Sequence, residues 1–269
     1  MMRALLISCL LAAPALAHEA GEGEVKIAER DLREMKAMIP GHYVNEEQVY
    51  FQGNLELGST ISRVETTIVE DGEGFLATSS TDRGERTARL SYYLDGSTIR
   101  SREERDGEPL CERTFARYFD SFIGEGCGGR VVISPLGLSY GSEERTVRLD
   151  RASAFTCWVA PQKRDGEYAF RNDIVIHDGG GRQWVEGENF DRVGIRMRHV
   201  RWPSGNNRDS RVLYIHKSDD VEWESAVSYA WTEPDSDRIA INLRWVQVSC
   251  TRGGDVVTPG IDLKTGSGR

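Results

Sequence analysis

The stretch that decides the fold class is ERTARLSYYLDGSTIRSREERDGEPLCERTFARYFDSF, residues 85–122. Runs over 85–94 and 97–104 are separated by Asp95-Gly96, and Asp106-Gly107 comes before a third run over 112–122. Asp-Gly supplies the positive φ angles that a two-residue hairpin turn demands. At a period of two, Glu85, Thr87 and Arg89 fall on one strand face and Arg86, Ala88 and Leu90 on the other. The rhythm extends back through 57–70 and 73–80. It runs forward through 129–134, 136–140, 144–150, 154–159, 167–176, 182–188, 193–202, 211–217, 224–232 and 238–250. Asp71-Gly72 and Asp165-Gly166 give two further turn signals. Short strands at regular spacing read as an all-β sandwich or barrel.

A faint echo runs through these strands. Glu85-Arg86-Thr87 recurs as Glu112-Arg113-Thr114 and as Glu144-Arg145-Thr146, at spacings too irregular for a repeat protein. Two readings of it stay open. The arginines form cross-strand ion pairs on a solvated face, or some of them line a polar barrel interior and meet an anionic ligand. Before the strands, Val25, Ala28, Leu32, Met35 and Ile39 recur at helical spacing until Pro40-Gly41 ends the pattern. One amphipathic helix is expected there.

The first seventeen residues read as an export signal. Met1-Met2-Arg3 is a short basic start, residues 4–16 are almost entirely apolar, and Ala15-Leu16-Ala17 is the small-x-small pattern of a cleavage site. The apolar run continues past Cys9, which argues against lipidation there. No other segment is long and apolar enough to span a bilayer. The expected product is periplasmic or secreted, with one β-domain over 18–257 and a disordered tail over 258–269. Glu47–Gly53 looks like a viral protease cleavage sequence, but behind an intact export signal it is read as native.

The chain carries 43 acidic against 34 basic residues. That balance excludes the dominant basic surface a nucleic-acid partner requires. An export signal with Cys111, Cys127, Cys157 and Cys250 favours two disulfides. Three pairings are possible, and Cys111–Cys127 with Cys157–Cys250 is preferred.

No catalytic signature is visible. GxSxG and HExxH are absent, and His18, His42, His177, His199 and His216 show no pair at metal-ligand spacing. No metal site is expected and no cofactor is required. His177-Asp178 could act as base and orienter, or could close a strand beside Gly179–Gly181. Arg192, Arg196, Arg198, Arg201, Arg208 and Arg211 form a basic stretch, read either as pairing with acids such as Asp191 or Asp209 or as a surface for an anionic partner. The six tryptophans, mostly on strands, read as packing residues.

Gly41-His42-Tyr43-Val44-Asn45-Glu46-Glu47-Gln48, following a helix, resembles the G-x-[FY]-x-N-x-x-Q start of the T-type phycobilin chromophore lyases, the CpcT/CpeT family. Cys111, Phe122-Ile123-Gly124 and Gly126-Cys127 are similar to that family's Cys…F-x-G…Gly-Cys segment. Leu149-Asp150-Arg151, Trp158 and Gly166-Glu167-Tyr168-Ala169-Phe170 resemble its closing LDR…W…G-x-[FY]-x-F. The match covers roughly residues 30–170. The family's Y-x-E-Q and Y-R-x-R stretches are not recognisable, and 171–257 has no counterpart. The resemblance implies a calycin-like antiparallel β-barrel; the residue pattern adds the N-terminal helix and additional C-terminal strands, which either extend the barrel or pack outside it. It also implies a bilin-like ligand and, if lyase chemistry is kept, a protein acceptor whose identity stays open. The alternative is a non-enzymatic, envelope-associated binding barrel. Tyr43, Asn45 and Gln48 are the expected ligand contacts, with Arg86 or Arg89 meeting carboxylates. Equally open is a structural role in which Asn45 and Gln48 bond backbone groups at the barrel end.

Overall fold

The computed structural model describes residues 21–54, 61–127, 129–142, 145–202, 207–217, 223 and 225–253. The expected export signal and tail lie outside them. Helix α1 spans Glu22–Met38, with Glu22 and Glu24 in its first turn and Lys36 in its last. That charge order complements the helix dipole. Strand β1 (Gly41–Val44) follows, then a short helix α2 (Glu46–Asn54). Nine more strands complete the first half: β2 (Val64–Asp71), β3 (Gly74–Thr81), β4 (Gly84–Asp95), β5 (Thr98–Arg105), β6 (Glu108–Tyr118), β7 (Ser121–Gly126), β8 (Arg130–Ser134), β9 (Gly137–Gly141) and β10 (Thr146–Ala152).

These ten strands form a closed antiparallel barrel. Strands β2 to β10 form a meander, and β1 closes it by pairing with both β2 and β10. Period-two alternation decides what faces inward. Near one end the interior holds Ile68, Phe75, Phe115, Phe122 and Ile133, packed against Met35 and Ile39 at the end of α1. Met35 and Ile39 belong to the apolar face read from the sequence, and α1 plugs that end. The two stretches read as single strands, 112–122 and 238–250, each turn midway. In the first, Phe119 takes a positive φ of 55° between β6 and β7. A non-glycine residue there gives no turn signal in the sequence.

The strands after Ala152 pack outside the barrel. They are β11 (Ala154–Pro161), β12 (Arg171–His177), β13 (Gly179–Val185), β14 (Val193–Val200), β15 (Ser210–Lys217), β16 (Ser228–Thr232), β17 (Arg238–Leu243) and β18 (Val246–Arg252). They form two four-stranded antiparallel sheets, β12-β11-β18-β17 and β13-β14-β15-β16. Both sheets bury their inner faces in one core, which includes Phe155, Val159, Ile195, Met197, Leu213 and Ile215. This is the arrangement of a sandwich.

Cys157 opposes Cys250 across β11 and β18, and the two are disulfide-bonded within that core. Cys111 bonds Cys127, joining the start of β6 to the residue after β7. No helix among the described residues is long and apolar enough to cross a membrane.

Candidate functional site

The residues of the opening motif hold the barrel's seam. The Tyr43 hydroxyl lies 2.8 Å from the carbonyl oxygens of Met38 and Ile39. Arg151 donates to the Pro40 carbonyl at 2.7 Å, to the Met38 carbonyl and to the Tyr43 hydroxyl at 2.6 Å. Together they satisfy the carbonyls that the end of α1 leaves unpaired. Burial pushes the Tyr43 phenol up to about 12, with the Arg151 charge opposing the shift.

Strand β1 is only four residues long, and side-chain amides extend its ladder on both sides. Asn45 accepts from the Val64 N–H at 2.7 Å and donates to the Ser62 carbonyl at 2.9 Å. Gln48 donates to the Thr146 carbonyl at 2.7 Å and accepts from the Arg148 N–H at 2.9 Å. Each amide stands in for the peptide group of a missing strand residue, toward β2 and toward β10 respectively.

The barrel interior beyond the apolar plug is not filled. A cavity of about 400 Å³ lies there, within the roughly 300–1,000 Å³ range of small-molecule sites. Ile39, Ile68, Leu90, Tyr92, Ile133 and Leu149 supply its apolar wall. At the other end small polar side chains take over (Thr66, Ser79, Thr81, Ser139), joined by Arg86, Arg105, Arg113 and Glu103. Arg113 lies 3.4 Å and Arg105 3.8 Å from the Glu103 carboxylate, while Arg86 has no ion pair among the described residues. Three arginines against one glutamate give this mouth a positive charge inside an acidic protein. Burial raises the Tyr92 phenol, so it stays protonated and neutral.

Of the five expected ligand contacts, only Arg86 reaches this cavity. Arg89, one residue off in the period, points outward to Asp71 at 2.6 Å. Arg105 carries no sequence signal, whereas Arg113 belongs to the Glu-Arg-Thr echo, one reading of which places its arginines inside the barrel. Arg113 occupies the same place in Glu112-Arg113-Thr114 as Arg86 does in Glu85-Arg86-Thr87.

A second polar constellation lies where the barrel's outer face meets the sandwich. Three arginines of the basic stretch find their partners here, while Arg192 pairs with its acidic neighbour Glu186 at 3.3 Å. Arg196 bonds Glu46, Arg198 meets Glu47 at 2.7 Å, and Arg201 meets Asp150 at 2.6 Å. His177 and Asp178 diverge. Asp178 accepts from the Ser153 N–H and pairs with buried Arg211 at 3.0 Å. His177 instead turns toward Glu65, with its Nε2 3.2 Å from Oε1, and the His42 Nε2 lies 2.9 Å from the same oxygen. The two imidazole rings stand 4.5 Å apart. Burial lowers the His42 imidazole, opposed by Glu65; burial alone would raise the Glu65 carboxyl, but the two histidines outweigh it and hold it well below the usual carboxylate range.

Gly179–Gly181 let β13 approach this cluster closely. A Cβ on Gly181 would come within 2.5 Å of the His177 backbone, and one on Gly180 within 2.7 Å of the Glu46 carboxyl carbon.

Compared with protein-family models, with curated proteins and with solved structures, the chain matches none.

Proposed function

We propose that the barrel binds an elongated, anionic amphiphile, with its apolar body on the inner wall and its acidic group at the arginine mouth. The carrying observation is the polarity gradient of the cavity, from Ile39 and Ile133 at the plugged end to Arg86, Arg105 and Arg113 at the other. Guanidinium groups match carboxylates geometrically, and partial burial strengthens the pairing. A bilin fits this chemistry because it joins an apolar conjugated body to propionate groups, and the resemblance to T-type chromophore lyases over residues 30–170 supports that ligand class. A long-chain carboxylate fits the same gradient.

Binding without transfer is the reading we favour. Covalent delivery by a cysteine of this chain would need a thiolate, and every cysteine among the described residues is in a disulfide. That removes a bilin-carrying cysteine of this chain as an intermediate and leaves a non-covalent carrier or scavenger as the reading we favour.

Titration with biliverdin, read by absorbance, and with palmitate, read by displacement of an anionic naphthalene-sulfonate dye, tests the proposal. Saturable binding of one ligand per chain is expected. Arg86→Gln combined with Arg113→Gln should weaken it about tenfold or more, the scale of one lost charge-assisted hydrogen bond. Absence of saturable binding for both ligands would overturn the reading.

A further inference from the structure

We propose that His42, Glu65 and His177 form a site for a divalent transition-metal ion of the zinc class, seated between the barrel and the sandwich. The three come from β1, β2 and β12, and their donor atoms all lie within 4.8 Å of one another. Two imidazole nitrogens and one carboxylate oxygen are a borderline donor set. It suits zinc and its neighbours rather than calcium or magnesium, which take oxygen ligands.

The geometry is that of convergent ligands more than of a hydrogen-bonded cluster. The His42 Nε2 is buried and 2.9 Å from the Glu65 Oε1, yet it makes no aligned hydrogen bond, so its ring does not aim at that oxygen. The His42 side chain is only 2 % exposed, so bulk solvent does not reach that nitrogen. A tetrahedral ion with bonds of about 2.0–2.2 Å separates its ligand atoms by roughly 3.3–3.5 Å. The two separations from Glu65, 2.9 and 3.2 Å, need to widen by a few tenths of an ångström to admit one, and the two imidazole nitrogens lie within 4.8 Å of each other, so side-chain rotation brings all three to an ion.

The surroundings also fit. The Nδ1 of His42 lies 2.9 Å from the Thr67 hydroxyl, which fixes the ring as outer partners of metal-bound histidines do. Two cations stand near: Arg63, which is held by Glu46 at 3.1 Å, and Arg182, which feels the charges of both Glu46 and Glu65. An ion here would join β1 and β2 of the barrel to β12 of the sandwich. Its binding would therefore stabilise the junction as well as fill the site.

The test uses the mature protein, stripped with a chelator, returned to chelator-free neutral buffer and titrated with zinc chloride in a calorimeter. One zinc per chain and a raised melting temperature are expected. His177→Gln and Glu65→Gln should each weaken binding by about 100-fold and abolish the thermal shift, since even outer-shell changes cost ten- to 100-fold. His199→Gln should leave both unchanged. Should the site variants fail to fold, X-ray absorption at the zinc edge of the wild-type protein decides. Nitrogen and oxygen ligands at about 2.0–2.2 Å, including two imidazoles, support the site. No saturable zinc binding, binding that survives both substitutions, or an edge spectrum without histidine ligation overturns it.

Discussion

The barrel and the sandwich use the same strand alternation and end with opposite interiors. In the sandwich the inward positions are filled by Phe155, Ile195, Met197, Leu213 and Ile215, all fully buried, and a polar group that packs on Phe155, Arg211, is itself buried and paired with Asp178. In the barrel the inward positions shrink and become polar toward one end, through Thr66, Ser79, Thr81 and Ala88, and about 400 Å³ is left open. Ten strands enclose more width than eight, and small side chains do not close it. The sandwich interior is packed, whereas the barrel interior leaves room that could take a ligand. The difference lies in the size of the inward residues rather than in the pattern.

The two disulfides test this division most strongly. Cys157–Cys250 spans 93 residues and sits in the packed core, while Cys111–Cys127 spans 16 and lies at the polar end of the barrel, where Cys111 opposes Glu103. On loop-closure entropy the first contributes about 4.6 kcal/mol and the second about 3. Replacing Cys157 and Cys250 by Ala should therefore produce the larger drop in denaturant stability and leave binding of an anionic dye intact in the folded protein. Replacing Cys111 and Cys127 should cost less stability but weaken dye binding, because it loosens the strands that carry Glu103 and Arg113. The division fails if the core pair proves the cheaper to remove or if only its loss disturbs binding.

What the sequence showed of this fold follows from which signals are local. Asp95-Gly96 and Asp106-Gly107 announce their hairpins because a positive φ needs those residues, so most strands were legible. The turns at 119–120 and 244–245 carry no such residue and were not. Strand β1 and helix α2 were hidden for a different reason. Four residues of strand followed by a polar helix have no period to read, and Asn45 and Gln48 complete the ladder through side chains. The arginine mouth was half legible, since alternation put Arg86 opposite in phase to Arg89 but could not say which face was inside. The His42, Glu65 and His177 cluster was invisible, because His42 and Glu65 meet only once β1 pairs with β2, and His177 joins them only when the sandwich docks on the barrel.

Substitutions in the two interiors sharpen the comparison further. Leu213 is fully buried in the sandwich core, and Leu213→Ala should cost about 2–5 kcal/mol through lost burial and the hole left behind. It should not change ligand binding below the unfolding transition. Ala88 lines the barrel cavity. Ala88→Phe places a ring in space that is already empty, so melting should shift little while binding of biliverdin or palmitate is lost. Calorimetric melting together with ligand titration reads both. Equal stability losses from the two changes would mean that the barrel cavity is packed in solution and is not a site.

The smallest expected effect concerns the plug. Asp31 on α1 accepts from Arg117 on β6 at 2.8 Å and from Arg30 at 2.9 Å, which ties the helix to the barrel wall. Burial alone would raise the Asp31 carboxyl, but the hydrogen bonds from Arg30 and Arg117 outweigh it and hold the group below its ordinary value. A carboxyl whose folded value is depressed stabilises the protein above its unfolded value, near pH 3.9, and loses that contribution as pH falls through the lower folded value. Asp31→Asn should therefore lower the melting temperature at neutral pH by on the order of 2 °C, because its arginine partners are partly exposed and solvent screens the pairing. The gap between variant and wild type should close only on the acid side of the carboxylate range, as the wild-type group also becomes neutral. Melting curves of the two proteins from neutral pH down to pH ~3 measure this window. A gap that persists unchanged in acid would show that the charge of Asp31 does not hold the plug, and that the apolar contacts of Met35 and Ile39 close the barrel without it.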